Sequence, residues 1–234
     1  MQQYQQTMDP SVPVMHLGEE TRAEFISRTY MHLAGAILAF VGIEMYLFSS
    51  GLAEVITTKL VGANWLLVLG AFMMVSWLAS RTAHTVESLP MQYLMLGIYI
   101  LAWAVIFAPM LFIAQSIAPG VIESAAGVTL VGFAGLTAVA FFTRKDFSFL
   151  RSMLMWGGFA ALGAIVASVI FGWHLGTWFS VGMIAFAGAA ILYDTSNVLH
   201  HFPKDRYVGA ALELFGSIAL LFWYVLRFFM ASED

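Results

Sequence analysis

The sequence predicts an all-α membrane protein with seven transmembrane helices, and three observations lead to this fold class. Hydrophobic residues make up 61% of the 234 positions and charged residues only 10%, whereas a typical soluble domain is about 25% charged. Apolar stretches recur along the chain, each close to the roughly 20 residues with which an α-helix crosses the hydrocarbon core. The polar connections between these stretches are short. The lipid bilayer is therefore the expected partner of most of the surface.

The apolar stretches define the predicted spans in chain order. Residues 1–28 form a polar tail that lacks the basic-then-apolar order of a cleavable signal peptide. Residues 29–234 form one seven-helix transmembrane domain. Its predicted spans are Tyr30–Phe48, Val61–Ala79, Tyr93–Ile113, Ser124–Phe142, Met153–Phe171, Thr177–Leu199 and Gly209–Phe229. Charged residues lie near both ends of the seventh, so a re-entrant segment is the alternative there.

The distribution of Lys and Arg predicts the orientation, because positively charged residues are retained on the cytoplasmic side of a membrane. With seven spans, one side carries only Lys59 and Arg227. The other side, which includes the tail, carries Arg22, Arg28, Arg81, Arg144, Lys145, Arg151, Lys204 and Arg206. This imbalance predicts a cytoplasmic N-terminus and a C-terminus on the opposite side.

Composition and missing motifs exclude several classes of function. The chain has no cysteine, which excludes disulfides, Cys-ligated zinc, iron–sulfur clusters and thiol nucleophiles. The net charge of -4 and the lack of a basic run give no indication of a nucleic-acid partner. No GxSxG, HExxH or Gly-rich phosphate loop occurs, and no Lys lies within a span. We therefore expect neither an enzyme nor a bound cofactor.

Four charged residues within the spans are the candidate functional residues, because a charge at the bilayer centre costs roughly 2.5–3.5 kcal/mol. In the predicted topology, Glu44 and Arg227 lie towards the outer face. Asp194 and Glu213 lie towards the cytoplasm. Opposite charges therefore share the outer level and like charges share the inner level.

The outer pair predicts a latch in which Glu44 and Arg227 form an ion pair, since pairing lets both charges remain in a region of low dielectric constant. The alternative is that each long side chain reaches its own headgroup layer without contacting the other.

The inner pair predicts a pH switch at Asp194 and Glu213. Two neighbouring carboxylates in a poorly solvated site disfavour double ionisation, so they would share a proton. When both are ionised they would repel each other, draw in water and offer oxygen ligands to a cation such as calcium. The alternative is that both carboxylates simply lie among the cytoplasmic headgroups.

A mainly polar stripe runs along the seventh span. Its members follow a 4-3-4-3 spacing, which places them on one helix face: Glu213, Ser217, Leu220, Tyr224 and Arg227. A polar stripe in a bilayer must face protein or water, which makes this helix a candidate centre of the bundle. The stripe favours a solvated pathway, and a hydrogen-bonded core seam is the alternative.

Two segments resemble motifs of the Bax inhibitor family of membrane proteins. The joint at residues 141–150, FFTRKDFSFL, resembles the family's segment between the fourth and fifth spans. The segment at residues 190–198, AILYDTSNV, resembles the one that ends its sixth span. Arg81–His84, Arg28–Tyr30 and the short charged C-terminus also fit the family. The resemblance therefore covers nearly the whole chain.

The resemblance implies a fold and a set of site residues. The fold has two three-helix layers around a central C-terminal helix. In characterised relatives, which show a pH-dependent calcium leak, one aspartate on the sixth helix and one on the seventh act as the pH sensor. Asp194 matches the first, but Ser217 stands at the position of the second. Glu213, one turn earlier on the same face, is the candidate substitute. The family's outer latch corresponds to Glu44 and Arg227.

Two functions follow as expectations. The resemblance is to the bacterial branch, which includes a modulator of the ATP-dependent membrane protease FtsH. It implies an inner-membrane protein with a stress-related role. The Lys and Arg count adds a periplasmic C-terminus. The length of the tail and the missing second aspartate favour a regulator that binds such a protease through its N-terminal tail. The alternative is a pH-gated leak for calcium or another cation. Its gate would comprise Asp194, Glu213 and Ser217, with the two carboxylates as candidate calcium ligands.

Overall fold

The structure, a computed structural model, describes residues 12–86 and 88–231. Residues 1–11 of the predicted tail and 232–234 of the charged C-terminus lie outside these ranges. The described chain contains two 3-10 turns, Val14–His16 and Lys204–Arg206, and eight α-helices. The helices are α1 (Glu19–Ser49), α2 (Leu52–Val61), α3 (Trp65–Thr85), α4 (Leu89–Ile117), α5 (Val121–Thr143), α6 (Leu150–Phe171), α7 (Thr177–His200) and α8 (Tyr207–Met230).

All helices except α2 are long and apolar enough to cross a membrane, which confirms the seven predicted spans. The chain therefore alternates between two ends of the bundle. The end where α1 begins, here the N-terminal end, also carries the α3–α4, α5–α6 and α7–α8 connections. The opposite end, here the far end, carries α2, the α4–α5 and α6–α7 connections and the end of α8.

The first span is longer than the sequence predicts. α1 has 31 residues, which corresponds to about 46 Å at 1.5 Å per residue. The hydrocarbon core is only about 30 Å thick. The first turns of α1 hold the charged residues of the predicted tail, among them the pair Glu24–Arg28 at 2.5 Å. The expected boundary between residues 28 and 29 therefore lies inside a continuous helix.

The short helix α2 is the element that sequence analysis missed. Gly51 ends the first span in the left-handed conformation, with a φ of 77°, which a residue without a Cβ adopts at little cost. The chain then turns into α2, which packs against α4 and buries Ala53. The second span begins at Trp65 rather than Val61, and the Asn64 side chain caps it by accepting a hydrogen bond from the Leu66 N–H at 3.0 Å.

The C-terminal helix lies at the centre of the bundle, as predicted. α8 packs against α1, α3, α4, α5 and α7. On one side of it α1 and α3 each pack against α4, and on the other side α5 and α6 each pack against α7. These are the two expected three-helix layers. None of the residues of α6 is buried, so this helix is the outermost of the bundle.

Aromatic side chains fill the middle of the α1, α4 and α8 interface. Phe107 of α4 is completely buried. Its ring contacts those of Phe40 on α1 and of Phe222 and Trp223 on α8, at centroid distances of 5.2, 5.2 and 5.1 Å. Ring pairs of this kind add to the hydrophobic contribution of their burial. They fix α8 between its neighbours and so fix the polar groups that it carries.

Candidate functional site

A group of polar side chains lies between α3, α7 and α8 near the N-terminal end, with Asp194 and Ser217 buried and His84 exposed. We call it the carboxylate cluster, and it comprises Ser80, His84, Asp194, Glu213 and Ser217. Asp194, near the end of α7, is only 7% exposed. The Ser217 hydroxyl of α8 donates a hydrogen bond to its Oδ2. A hydrogen bond to a buried carboxylate offsets part of the cost of taking that group out of water.

Glu213 belongs to the same cluster but has different partners. Its Oε1 accepts a hydrogen bond from the Ser80 hydroxyl at 2.6 Å and lies 3.4 Å from Nε2 of His84. Glu213 lies one turn before Ser217 on the same face of α8, and Ser217 donates to Asp194. The structure therefore places the two predicted carboxylates in one cluster, with Ser217 between α7 and α8. Their role in pH sensing stays a prediction.

The contribution of α3 to this cluster depends on a close approach between α3 and α8. A Cβ added at Gly209 would lie 2.7 Å from the backbone oxygen of Ala83, closer than real side chains come to a neighbouring backbone. Glycine at this position lets the two helices meet. Ser80 and His84 thereby reach Glu213. Sequence analysis gave neither residue a role, because two isolated polar side chains on α3 carry no pattern.

A segment of the N-terminal tail packs on the α7–α8 connection, beside the cluster. The Val14 N–H donates a hydrogen bond to the Phe202 carbonyl at 2.9 Å, and Val14 is completely buried. The adjacent Pro13 pairs with Pro203. The Phe202 ring stacks on His84 with a centroid distance of 5.1 Å. We call residues 13–17 the docked segment. The docked segment is connected to the cluster through Phe202, which Val14 contacts on one side and which stacks on His84 on the other.

The two family motifs bind each other at the same end. The Phe147 N–H donates to the Ser196 hydroxyl at 2.9 Å, and the Ser148 N–H donates to Asp146 Oδ1 at 2.8 Å. His201 Nε2 lies 3.6 Å from Asp146 Oδ2. Partial burial acts to raise the pKa of Asp146, but the Ser148 hydrogen bonds and the nearby histidines outweigh it and hold the pKa below its usual value.

A polar cavity of about 430 Å³ lies beside the cluster. His84, Arg151, His201 and Arg206 are among the residues that line it, and Phe202 and Pro203 form part of its wall. The cavity and the docked segment therefore share the α7–α8 connection.

The predicted outer latch is not formed in this structure. Arg227 donates a hydrogen bond to the Leu175 carbonyl at 2.9 Å and lies 6.0 Å from the centre of the Phe179 ring. Glu44 is buried, and neither of its carboxylate oxygens has a hydrogen-bond partner among the described protein atoms. The physical reason is that Arg227 points to the layer that contains α7, whereas Glu44 belongs to α1 in the other layer. The predicted ion pair is therefore absent from the described structure, and the role of the two residues as an outer latch stays a prediction.

The carboxylates do not fit a permanent calcium site. Across residues 12–86 and 88–231, no group of three or more His, Cys, Asp or Glu side chains is arranged to hold a metal ion. Calcium takes six to eight oxygen ligands in proteins. Asp194, Glu213 and Ser217 supply fewer oxygen ligands than that, and the binding of calcium by the two carboxylates stays a prediction.

Seven spanning helices, six of them arranged around the buried α8, define a polytopic α-helical membrane protein with a carboxylate cluster between α3, α7 and α8. Residues 22–234 match the family model described as "Inhibitor of apoptosis-promoting Bax1". The chain belongs to this Bax inhibitor family, which confirms the resemblance of the two motifs.

Relatives come from plants and from bacteria. LIFEGUARD 4 of Arabidopsis thaliana is 28% identical over 236 residues, covering 94% of this chain and 90% of that protein. The modulator of FtsH protease YccA of Escherichia coli K12 is 35% identical over 118 residues, or 49% of this chain and 52% of that protein. An uncharacterized protein of Pseudomonas aeruginosa is 39% identical over 112 residues, or 47% of this chain. The chain thus matches about half the length of both bacterial relatives.

Proposed function

We propose that this protein is a non-enzymatic modulator of an ATP-dependent membrane protease of the FtsH type in a bacterial inner membrane. The name of the relative from E. coli supports this proposal. The excess of Lys and Arg at the N-terminal end supports a cytoplasmic position of that end. A protease working from the cytoplasm would then meet the N-terminal tail first.

The observation that carries the proposal is the docked segment. Val14 is held under Phe202 by complete burial and one backbone hydrogen bond. Burying a valine contributes about 1.5–3 kcal/mol, and a typical hydrogen bond contributes about 1 kcal/mol. A contact of this size holds the segment in place at equilibrium but yields to an ATP-driven machine. The tail is therefore a segment that the protease can bind and pull. Its weak contact through Val14 and Phe202 connects it to His84 of the carboxylate cluster.

Deleting residues 1–11 tests the proposal, since this deletion removes the part of the tail that precedes the docked segment and keeps the docked segment itself. We expect the deletion to abolish the effect of the protein on the half-life of another membrane substrate of the protease, measured in cells by pulse-chase. Val14→Asp is the matched variant, because it keeps the tail but releases the docked segment. It should shorten the half-life of this protein itself. An unchanged substrate half-life after deletion of residues 1–11 would contradict the proposal.

A second function, a pH-gated leak for calcium or another cation, is favoured by the burial of Asp194. Ionising Asp194 beside Glu213 places two negative charges in a poorly solvated site, where they repel each other. We propose that this repulsion separates α7 from α8 and breaks the bond between Asp194 and Ser217. Calcium would pass as cargo, and protonation would close the path.

Calcium flux into proteoliposomes tests this second function. Wild-type protein should conduct more at neutral than at acidic pH, measured with a calcium-sensitive dye inside the vesicles. Asp194→Asn should remove the pH dependence. Asp205→Asn is the matched control, because Asp205 is exposed at the same end of the bundle. Absence of wild-type flux at either pH, with an ionophore control working, would remove this function and leave the protease proposal intact.

A further inference from the structure

A cavity of about 680 Å³ lies at the far end between α1, α4, α5 and α8. Its volume is in the range of about 300–1,000 Å³ that small-molecule sites occupy. Apolar side chains of all four helices form most of its wall, among them Phe40, Leu111, Leu130 and Phe222. The two functions proposed above do not use this cavity, and it lies at the opposite end from the carboxylate cluster.

Two buried polar groups on its wall have no hydrogen-bond partner among the described protein atoms. Glu44 of α1 is 7% exposed and Thr129 of α5 is 2% exposed. Both carboxylate oxygens of Glu44 and the hydroxyl of Thr129 are unpartnered. No Lys, Arg or His is among the described residues that line the cavity. An unpaired buried carboxylate is unfavourable, and a cation bound in the cavity would offset this cost.

The opening of the cavity is directed towards the bilayer. Val41 and Met45 of α1 and Leu130 of α5 line it and are exposed apolar side chains. α1 and α5 both pack against α8. Towards the N-terminal end the gap between them is filled by Tyr30, whose ring contacts Phe133 and Phe141. A ligand that enters from lipid must have an apolar body.

We propose that this cavity binds a lipophilic primary amine, with its ammonium group between Glu44 and Thr129 and its alkyl chain along the apolar wall. An alkylammonium, like a lysine side chain, keeps its charge at neutral pH. Its three N–H groups match the acceptors of the carboxylate and the hydroxyl. The rings of Phe40 and Phe222 can also interact favourably with a cation.

Other cations fit the cavity less well. A divalent metal ion requires several oxygen ligands, whereas the buried part of the cavity offers one carboxylate and one hydroxyl. A phospholipid with an ammonium headgroup would bring its phosphate close to Glu123, an exposed carboxylate at the opening. Like charges at this position would repel each other. The free amine has the positive charge and the apolar chain without the phosphate.

Calorimetric titration of octylammonium into the full chain in a nonionic detergent tests the proposal. We expect octylammonium to bind and octanoate not to bind. Octanol, which has the same chain without the charge, should bind at least about 30-fold more weakly, as is typical when one partner of a buried charge pair is removed. Equal affinities for octylammonium and octanol would overturn the proposal, as would a lack of octylammonium binding.

Three variants locate the ligand. Glu44→Gln keeps the shape of the side chain and should weaken octylammonium binding by about 30-fold. Glu54→Gln on the exposed side of α2 is the matched control and should leave the affinity unchanged. Ala126→Leu narrows the cavity but keeps Glu44, and should weaken octylammonium and octanol alike. Unchanged affinity in Glu44→Gln or in Ala126→Leu, with a thermal midpoint close to that of the wild type, would overturn the proposal.

A competition experiment distinguishes the free amine from a lipid headgroup. Dilauroyl phosphatidylethanolamine added to the detergent should leave octylammonium binding unchanged. Displacement of octylammonium by this lipid would overturn the assignment to a free amine and identify the ammonium headgroup of a phospholipid as the ligand.

Discussion

At the N-terminal end Asp194 is buried against the Ser217 hydroxyl, whereas at the far end Glu44 is buried with no hydrogen-bond partner among the described residues. Both acids are 7% exposed. The difference lies in their neighbours, which are hydrogen-bonding side chains around Asp194 and apolar walls around Glu44. Buried polar groups in proteins are nearly always satisfied. The comparison therefore separates the two acids: Asp194 has its hydrogen-bond donor within the bundle, whereas Glu44 is the acid that the proposed ligand would satisfy.

The largest expected effect is a loss of stability in a variant that disturbs the tight packing at the N-terminal end. Gly209→Ala places a Cβ 2.7 Å from the backbone oxygen of Ala83, so α3 and α8 must separate. Overpacking of this kind costs about 3 kcal/mol of unfolding free energy or more. Gly135→Ala is the matched control, since nothing lies within 4 Å of its added Cβ. Denaturation in detergent, monitored by circular dichroism, should show a lower unfolding midpoint for Gly209→Ala and an unchanged midpoint for Gly135→Ala. Equal midpoints of the two variants would contradict the close approach of α3 and α8.

Removing one hydroxyl at each end sharpens the comparison. Ser217→Ala leaves Asp194 buried without its hydrogen bond and should lower the unfolding free energy by about 2 kcal/mol. Thr129→Val removes a hydroxyl that has no partner, so the change should be within about 0.5 kcal/mol or stabilising. Thermal unfolding of both variants in the same detergent measures the difference. If Thr129→Val lowers the unfolding free energy as much as Ser217→Ala does, the proposed difference between the two ends is contradicted.

Replacing Glu44 by an apolar residue should increase stability in the absence of ligand. Glu44→Leu removes an unpaired buried carboxylate from an apolar wall, and such replacements are often stabilising by about 1–2 kcal/mol. We expect a higher thermal midpoint than that of the wild type. Asp194→Leu is the contrasting variant at the other end, and it should lower the midpoint because Ser217 loses its acceptor. A lower midpoint for Glu44→Leu would show that Glu44 has a stabilising partner.

The smallest expected effect is a pH dependence at the joint between the two motifs. The pKa of Asp146 is lower in the folded protein than its usual value. The ionised form therefore stabilises the fold above the usual pKa of an aspartate, about 4, and this contribution is lost as the pH falls through the lowered value. The midpoint difference between wild type and Asp146→Asn should be present at neutral pH and disappear in acid. A difference that persists in acid would contradict this assignment.

Most of the fold could be predicted because hydropathy and polar patterning report on single helices. The long apolar stretches revealed seven spans, and the stripe from Glu213 to Arg227 identified α8 as the central helix. α2 was missed because it is only 10 residues long, too short for a span, and its polar residues made the segment look like a loop. The docked segment was missed because a short contact through Val14 has no periodicity.

The candidate site was predicted only in part, because sequence gives the depth of a residue but not the side of α8 that it faces. The depth of the two residues was enough to predict that Asp194 and Glu213 lie close together, since α7 and α8 are neighbours along the chain. It was not enough for Glu44 and Arg227, which lie at one level, because Arg227 on α8 points to the layer that contains α7 whereas Glu44 belongs to the other layer. His84 joins the carboxylate cluster only through the approach of α3 to α8 at Gly209, which depends on tertiary packing.

The length of α1 links the docked segment to the thickness of the membrane. A helix whose apolar part exceeds the local hydrocarbon thickness adjusts by tilting. α1 begins at Glu19, only a few residues after Val14, and Val14 is fixed under Phe202. Any tilt of α1 must therefore be absorbed within residues 15–18 or transmitted to Val14. A thinner bilayer would thus strain the contact beside the carboxylate cluster, and lipid composition would affect it without any direct ligand.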